Sequence, residues 1–144
     1  MSLSGPPPSG HPAGLPALFL DRSLGRVQVP RLLRAVGLRL VTLAEHYGRP
    51  ADESVADVTW LEEAGRRGWA VLMKDERIRR RPAEKAMLVR AAVRCFVITR
   101  GDLRAEQMAR RFLINLAAME RACAEPGPFI YAVQETRLER LSLD

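Results

Sequence analysis

From Leu15 onward, short apolar runs alternate with amphipathic stretches, and this rhythm predicts the elements of the chain. ALFLD (17–21) reads as a strand, VQVPRLLRAVG (27–37) as a short helix closed by Gly37, and LRLVTLAE (38–45) as a second strand. A polar loop, HYGRPADES (46–54), leads to a helix over about Val55 to Arg67 that ends on Gly68. WAVLMKD then predicts a third strand, PAEKAMLVRAA a helix with proline near its first turn, and RCFVIT a fourth strand. The longest helix is predicted from about Leu103 to Cys123, where Ala105, Met108, Ala109, Phe112, Leu113, Leu116 and Met119 recur at steps of three and four. The chain closes with FIYAVQETRLERLSL, two alternating segments around Glu135 and Thr136 that read as a hairpin.

Strands alternating with helices build parallel βαβ units, so the expected fold is α/β: a single open, mostly parallel, Rossmann-like sheet with helices on both faces and a C-terminal hairpin. Residues 1–14, with three consecutive prolines among Ser and Gly, bury too little apolar surface to offset their ordering entropy and are expected to be a disordered tail. That leaves 15–144 as one domain, in keeping with a chain of 144 residues.

Composition narrows the function. No apolar run reaches the roughly 18 to 20 residues of a membrane helix, and the N-terminus has neither the basic start nor the apolar stretch of a secretory signal, so no membrane contact and a cytoplasmic location are expected. Cys95 and Cys123 fall on apolar patterns and read as reduced core residues, and two histidines, His11 in the tail and His46 in a loop, leave a zinc site almost no ligands. Trp60 and Trp69 read as core residues rather than a base-stacking platform. The balance of 23 Lys and Arg against 17 Asp and Glu, net +6 with a pI near 10.3, points to a polyanionic partner such as nucleic acid or to an acidic protein.

Two apolar runs stop on an aspartate: LFL on Asp21 and VLMK on Asp75. In open α/β sheets ligands bind beyond the carboxyl ends of the strands, where strand order reverses, and both aspartates fall at such ends. Two carboxylates on one edge repel unless a cation lies between them, and Mg²⁺ suits them because it needs only one or two protein carboxylates and fills its other positions with water and phosphate oxygen. On a basic chain this suggests a nuclease. The competing reading makes each aspartate a turn or helix-cap residue. Asp57, in the first turn of a helix, is either a third acid or part of a capping arrangement with Ser54, and Asp102 is either a fourth acid or the N-cap of the long helix. Lys74, Arg77, Arg79, Arg80 and Arg81 surround Asp75 in KDERIRRRP, as solvated surface or as phosphate contacts, with Lys74, Arg77 and Arg79 the candidates for RNA binding.

FLDRSLG, VPRLLRAVG, DVTWLEEAGRRGWAVLMKDERIRRRP and CFVITRGDLRAEQMA, in that order, resemble the PIN-like domain of VapC-type toxin ribonucleases and related PIN-like proteins over roughly residues 17 to 135. The resemblance implies a Mg²⁺- or Mn²⁺-dependent endoribonuclease, the toxin of a toxin–antitoxin pair, silenced when a small antitoxin protein covers its acidic pocket. It implies Asp21, Asp57 and Asp75 as catalytic residues and metal ligands, with Asp102 a weaker fourth ligand. The chain departs from the pattern after the third strand, where Asp75 is followed by Glu76 and Arg77 instead of a second aspartate. A PIN-like module that binds RNA or protein without chemistry is the alternative, and a homodimer is left open. A phosphoacceptor receiver domain would use Asp21, Asp75 and Thr99, but it needs an acidic pair after the first strand and a lysine after the fifth, where this chain has DRS and AVQE.

Overall fold

The computed structural model describes residues 10–143, so most of the expected 1–14 tail lies outside the described residues. The core is a six-stranded sheet formed by β1 (Leu18–Leu20), β2 (Leu40–Thr42), β3 (Ala70–Lys74), β4 (Arg94–Ile98), β5 (Phe129–Val133) and β6 (Leu138–Leu141). The strands lie in the order β2-β1-β3-β4-β5-β6, all parallel except β6, which pairs antiparallel with β5 as the closing hairpin.

Side chains alternate across a strand, and the two faces of the sheet carry separate cores. Leu18, Leu20, Ala70, Leu72, Phe96 and Ile98 pack with Val29 and Leu33 of α1 (Gln28–Ala35), Met108 and Phe112 of α5 (Ala105–Ile114) and Met119 of α6 (Leu116–Ala122). Phe19, Val71, Met73, Cys95 and Val97 face the other way, onto Leu43 of α2 (Leu43–Tyr47), Trp60, Leu61 and Ala64 of α3 (Asp57–Arg67) and Leu88 of α4 (Pro82–Arg90). Helices therefore cover both faces, as the alternation of elements predicts. Trp60 is fully buried, whereas Trp69 is half-buried and stacks on Phe19 at 5.1 Å between ring centroids.

Three local expectations are corrected. The second strand stops at Thr42, because the Thr42 hydroxyl accepts the Glu45 N–H and the Glu45 carboxylate accepts the Thr42 N–H; this capping box turns LAEHY into α2 and puts His46 on a helix rather than in a loop. The long C-terminal helix breaks at Asn115, whose buried side-chain amide donates to the carbonyls of Arg111 and Gln134 and so ties the break to the end of β5. Neither cap drawn from the acids forms. Ala56 precedes α3 without a side-chain cap while the Ser54 hydroxyl donates to the Ala51 carbonyl, and α5 starts after Arg104 rather than Asp102.

The connection from β1 through α1 runs outward to β2, and the chain then returns across β1 to lay down β3. Strand order reverses between β1 and β3, so the crevice that such sheets open at their carboxyl edge falls between these two strands. Leu20, the last residue of β1, pairs in register with Leu72, two residues before β3 ends at Lys74, so the carboxyl end of β1 lies beside the last residues of β3.

Candidate active site

Asp21 is the first residue past β1, and it anchors a short 3-10 turn, Arg22–Leu24. Its N–H donates to the Leu72 carbonyl of β3, and its Oδ2 accepts the Ser23 N–H at 3.2 Å and the Ser23 hydroxyl at 2.7 Å. Ser23 Oγ in turn accepts the Lys74 N–H at 2.9 Å, so one hydroxyl joins the tips of both strands. The side chain of Asp21 is buried, at 6% exposure, and its Oδ1 has no hydrogen-bond partner. Burial is the main cause of its raised pKa; the Ser23 hydrogen bonds oppose the rise and the charge of Asp57 adds to it.

Asp57 opens α3, and one turn later the Trp60 indole N–H donates to its Oδ1 at 2.9 Å. Its Oδ2 lies 3.5 Å from Arg81 Nη1. Asp75 follows β3 with φ near +90°, a left-handed backbone that costs a non-glycine residue about 1–3 kcal/mol and tends to persist where the surroundings fix it for function. Its N–H donates to the Ile98 carbonyl, its Oδ1 accepts the Arg77 N–H at 2.9 Å, and its Oδ2 pairs with Arg77 Nε at 2.5 Å. Burial works to raise the Asp75 pKa, but the hydrogen bonds from Arg77 and the charges of Arg77 and Arg81 outweigh it and hold the carboxyl below its ordinary value.

These three carboxylates line one cavity of about 240 Å³, together with Arg22, Ser23, Met73, Lys74, Arg77, Ile78 and Arg81. Asp102 is not among its lining residues; it is exposed after β4 and pairs with Arg100 at 2.7 Å. Arg79 is likewise outside, with Nη1 donating to the Ser142 carbonyl. Of the three basic candidates, Lys74 and Arg77 reach the cavity.

Two further contributors carry only a faint signal in the sequence. Ser23 stands two residues after an aspartate, a spacing that favours a side-chain turn. Arg22 donates to the carbonyls of Asp52 and Val55, tying the turn after β1 to the segment that enters α3 and so coupling Asp21 to Asp57.

Among the described residues no three Asp, Glu, His or Cys side chains form a ready-made metal cluster. A fully dehydrated ion would need one, but Mg²⁺ or Mn²⁺ held through one or two carboxylates does not. The buried, unpartnered Oδ1 of Asp21, with Asp57 and Asp75 lining the same cavity, fits an ion of that kind.

A single open, mostly parallel sheet with helices on both faces is the fold that the resemblance to PIN-like domains implies, and the PIN like domain family profile matches residues 16–100. The chain belongs to that family. It is 44% identical over 129 residues, 90% of this chain and 94% of the other, to the Mycobacterium tuberculosis protein named "Putative ribonuclease VapC45". No solved structure gives a significant match. Among the described residues, no helix is long and apolar enough to cross a membrane.

Proposed function

We propose that this chain is a divalent-metal-dependent endoribonuclease, the toxin of a toxin–antitoxin pair acting on cytoplasmic RNA, and that the Asp21–Asp57–Asp75 cavity is its active site. The observation that carries the reading is the state of Asp21: buried at the strand tip, one oxygen fixed by Ser23 and the other without a partner. An unpaired buried carboxylate oxygen is costly, and a bound cation relieves that cost. The name of the relative and the shared family support the reading.

Asp21 and Asp75 would hold Mg²⁺ or Mn²⁺, which supplies Lewis acidity at the phosphodiester when bound. Asp57, its Oδ1 steadied by Trp60, holds the ion with them or orients the attacking water. Lys74 lines the cavity beside Asp75 and positions an RNA phosphate by charge, a contact that fixes register without reading sequence. A small antitoxin protein would silence the site by covering this cavity.

A second reading, RNA or protein binding without chemistry, draws support from the ion pairs that Arg77 and Arg81 already make with Asp75 and Asp57. Incubating mixed RNA with Mg²⁺, Mn²⁺ or EDTA separates the two. Metal-dependent cutting that is lost in Asp21→Asn supports the nuclease; RNA bound but left uncut under every ion supports the binding module.

A further inference from the structure

Among the described residues, the proposed cavity is lined by the acids Asp21, Asp57 and Asp75 and by the cationic side chains of Arg22, Lys74, Arg77 and Arg81. A guanidinium paired with one of these carboxylates competes with a divalent cation for it. Arg22 is held aside by the Asp52 and Val55 carbonyls, and among the described residues Arg77 pairs with Asp75 and Arg81 with Asp57.

Both arginines come from one short segment. The positive φ of Asp75 reverses the chain, so that the 3-10 turn Glu76–Arg80 brings Arg77 back over the carboxylate, and Arg81 closes the turn in an extended conformation just before Pro82 starts α4. Their side chains are 69% and 48% exposed. Ion pairs this open to water contribute little and exchange readily. A guanidinium that leaves a carboxylate while tethered this close stays within reach of the same cavity, and its planar fork matches two phosphate oxygens better than an ammonium does.

We propose that Arg77 and Arg81 are exchangeable counter-ions of the site, holding Asp75 and Asp57 until a divalent cation displaces them and then engaging the RNA phosphate, a role that rests on the nuclease reading above. Arg81 thereby joins the site as an RNA-positioning residue beside Arg77. Metal binding and phosphate binding become ordered: the arginines cannot serve the acids and the RNA together.

The test measures Mn²⁺ binding to the full chain without RNA, from the paramagnetic resonance signal of the free ion. It compares wild type, the Arg77→Gln/Arg81→Gln double variant and the charge-keeping Arg77→Lys/Arg81→Lys double variant. The glutamine variant should bind Mn²⁺ about five-fold more tightly, since a solvent-screened competing charge has been removed, while the lysine variant stays near wild type. At saturating Mn²⁺ the glutamine variant should bind RNA about ten-fold more weakly, read as KM where RNA is cut and as an anisotropy Kd where it is not. Unchanged or weaker Mn²⁺ binding in the glutamine variant overturns the competition, and unchanged RNA affinity overturns the phosphate role. Tighter Mn²⁺ binding in a protein that never cuts RNA upholds the competition and refutes the nuclease reading instead.

Discussion

The Ser23 hydroxyl donates to Asp21 at 2.7 Å and accepts the Lys74 N–H at 2.9 Å, so the carboxylate at the end of β1 is fixed to the backbone at the end of β3. One side chain thus sets the orientation of Asp21 and the spacing of the two strand tips. Ser23→Ala removes the bridge and leaves a buried carboxylate less satisfied. A loss of about 1–2 kcal/mol in denaturant unfolding is expected, with weaker Mn²⁺ binding. Unaltered stability would show that the bridge contributes nothing.

Asp21 supplies a pH signature. Its folded-state pKa lies above the unfolded value, so between the two the folded protein binds more protons, and its contribution to stability falls as pH rises from about 4 through the raised value. Asp21→Asn removes this penalty. In EDTA at neutral pH the variant should be more stable by on the order of 1 kcal/mol, roughly 3 °C in Tm, and the gain should fade toward acid pH. Mg²⁺ or Mn²⁺ should raise the Tm of wild type and leave the variant unmoved, because only a folded-state site gains by mass action.

Glu63 on α3 has the opposite sign. It accepts hydrogen bonds from Arg67 and His46 and pairs with Arg66, which holds its pKa down to about 2. Its stabilisation is present above the ordinary carboxylate range and is lost as pH falls from 4.5 toward 2. With Arg66 and Arg67 open to water, the worth of the cluster at neutral pH is on the order of 1 kcal/mol. Glu63→Gln should lower the Tm at pH 7 by a few degrees and converge with wild type near pH 2, measured by circular dichroism melts.

Gly65 lets α3 lie against the end of α4. A Cβ there would sit 2.3 Å from the Ala91 carbonyl oxygen and 2.6 Å from the Ala91 Cβ, closer than packed atoms approach. Gly65→Ala should cost about 2–3 kcal/mol in spite of alanine's better helix propensity, because the helices must separate. A neutral or stabilising result in urea unfolding would contradict this packing.

The strand tips were legible in the sequence because an apolar run that stops on an aspartate reports its own end, as at Asp21 and Asp75. Their adjacency was not, since the crossing that puts β1 beside β3 is a property of the chain's path rather than of either run. Asp57 carries a local signal, its place in the first turn of α3, but its tie to Trp60 depends on the buried indole finding a partner. The misread ends share one cause. At Thr42 and Asn115 a polar side chain captures backbone groups and overrides apolar periodicity, and the spacing T-x-x-E was the available sign at the first. Arg79 could not be separated from Arg77 without knowing that a 3-10 turn sends one toward Ser142 and the other back to Asp75.

The most direct measurement is cleavage of mixed RNA by wild type, Asp21→Asn, Asp57→Asn and Asp102→Asn, each with Mg²⁺, Mn²⁺ and EDTA. Wild type should cut only with a divalent ion, Asp21→Asn and Asp57→Asn should lose at least about a hundred-fold, and Asp102→Asn, whose carboxylate stands outside the cavity, should still cut. Cutting that survives EDTA or Asp21→Asn, or no cutting by wild type under either ion, would contradict it.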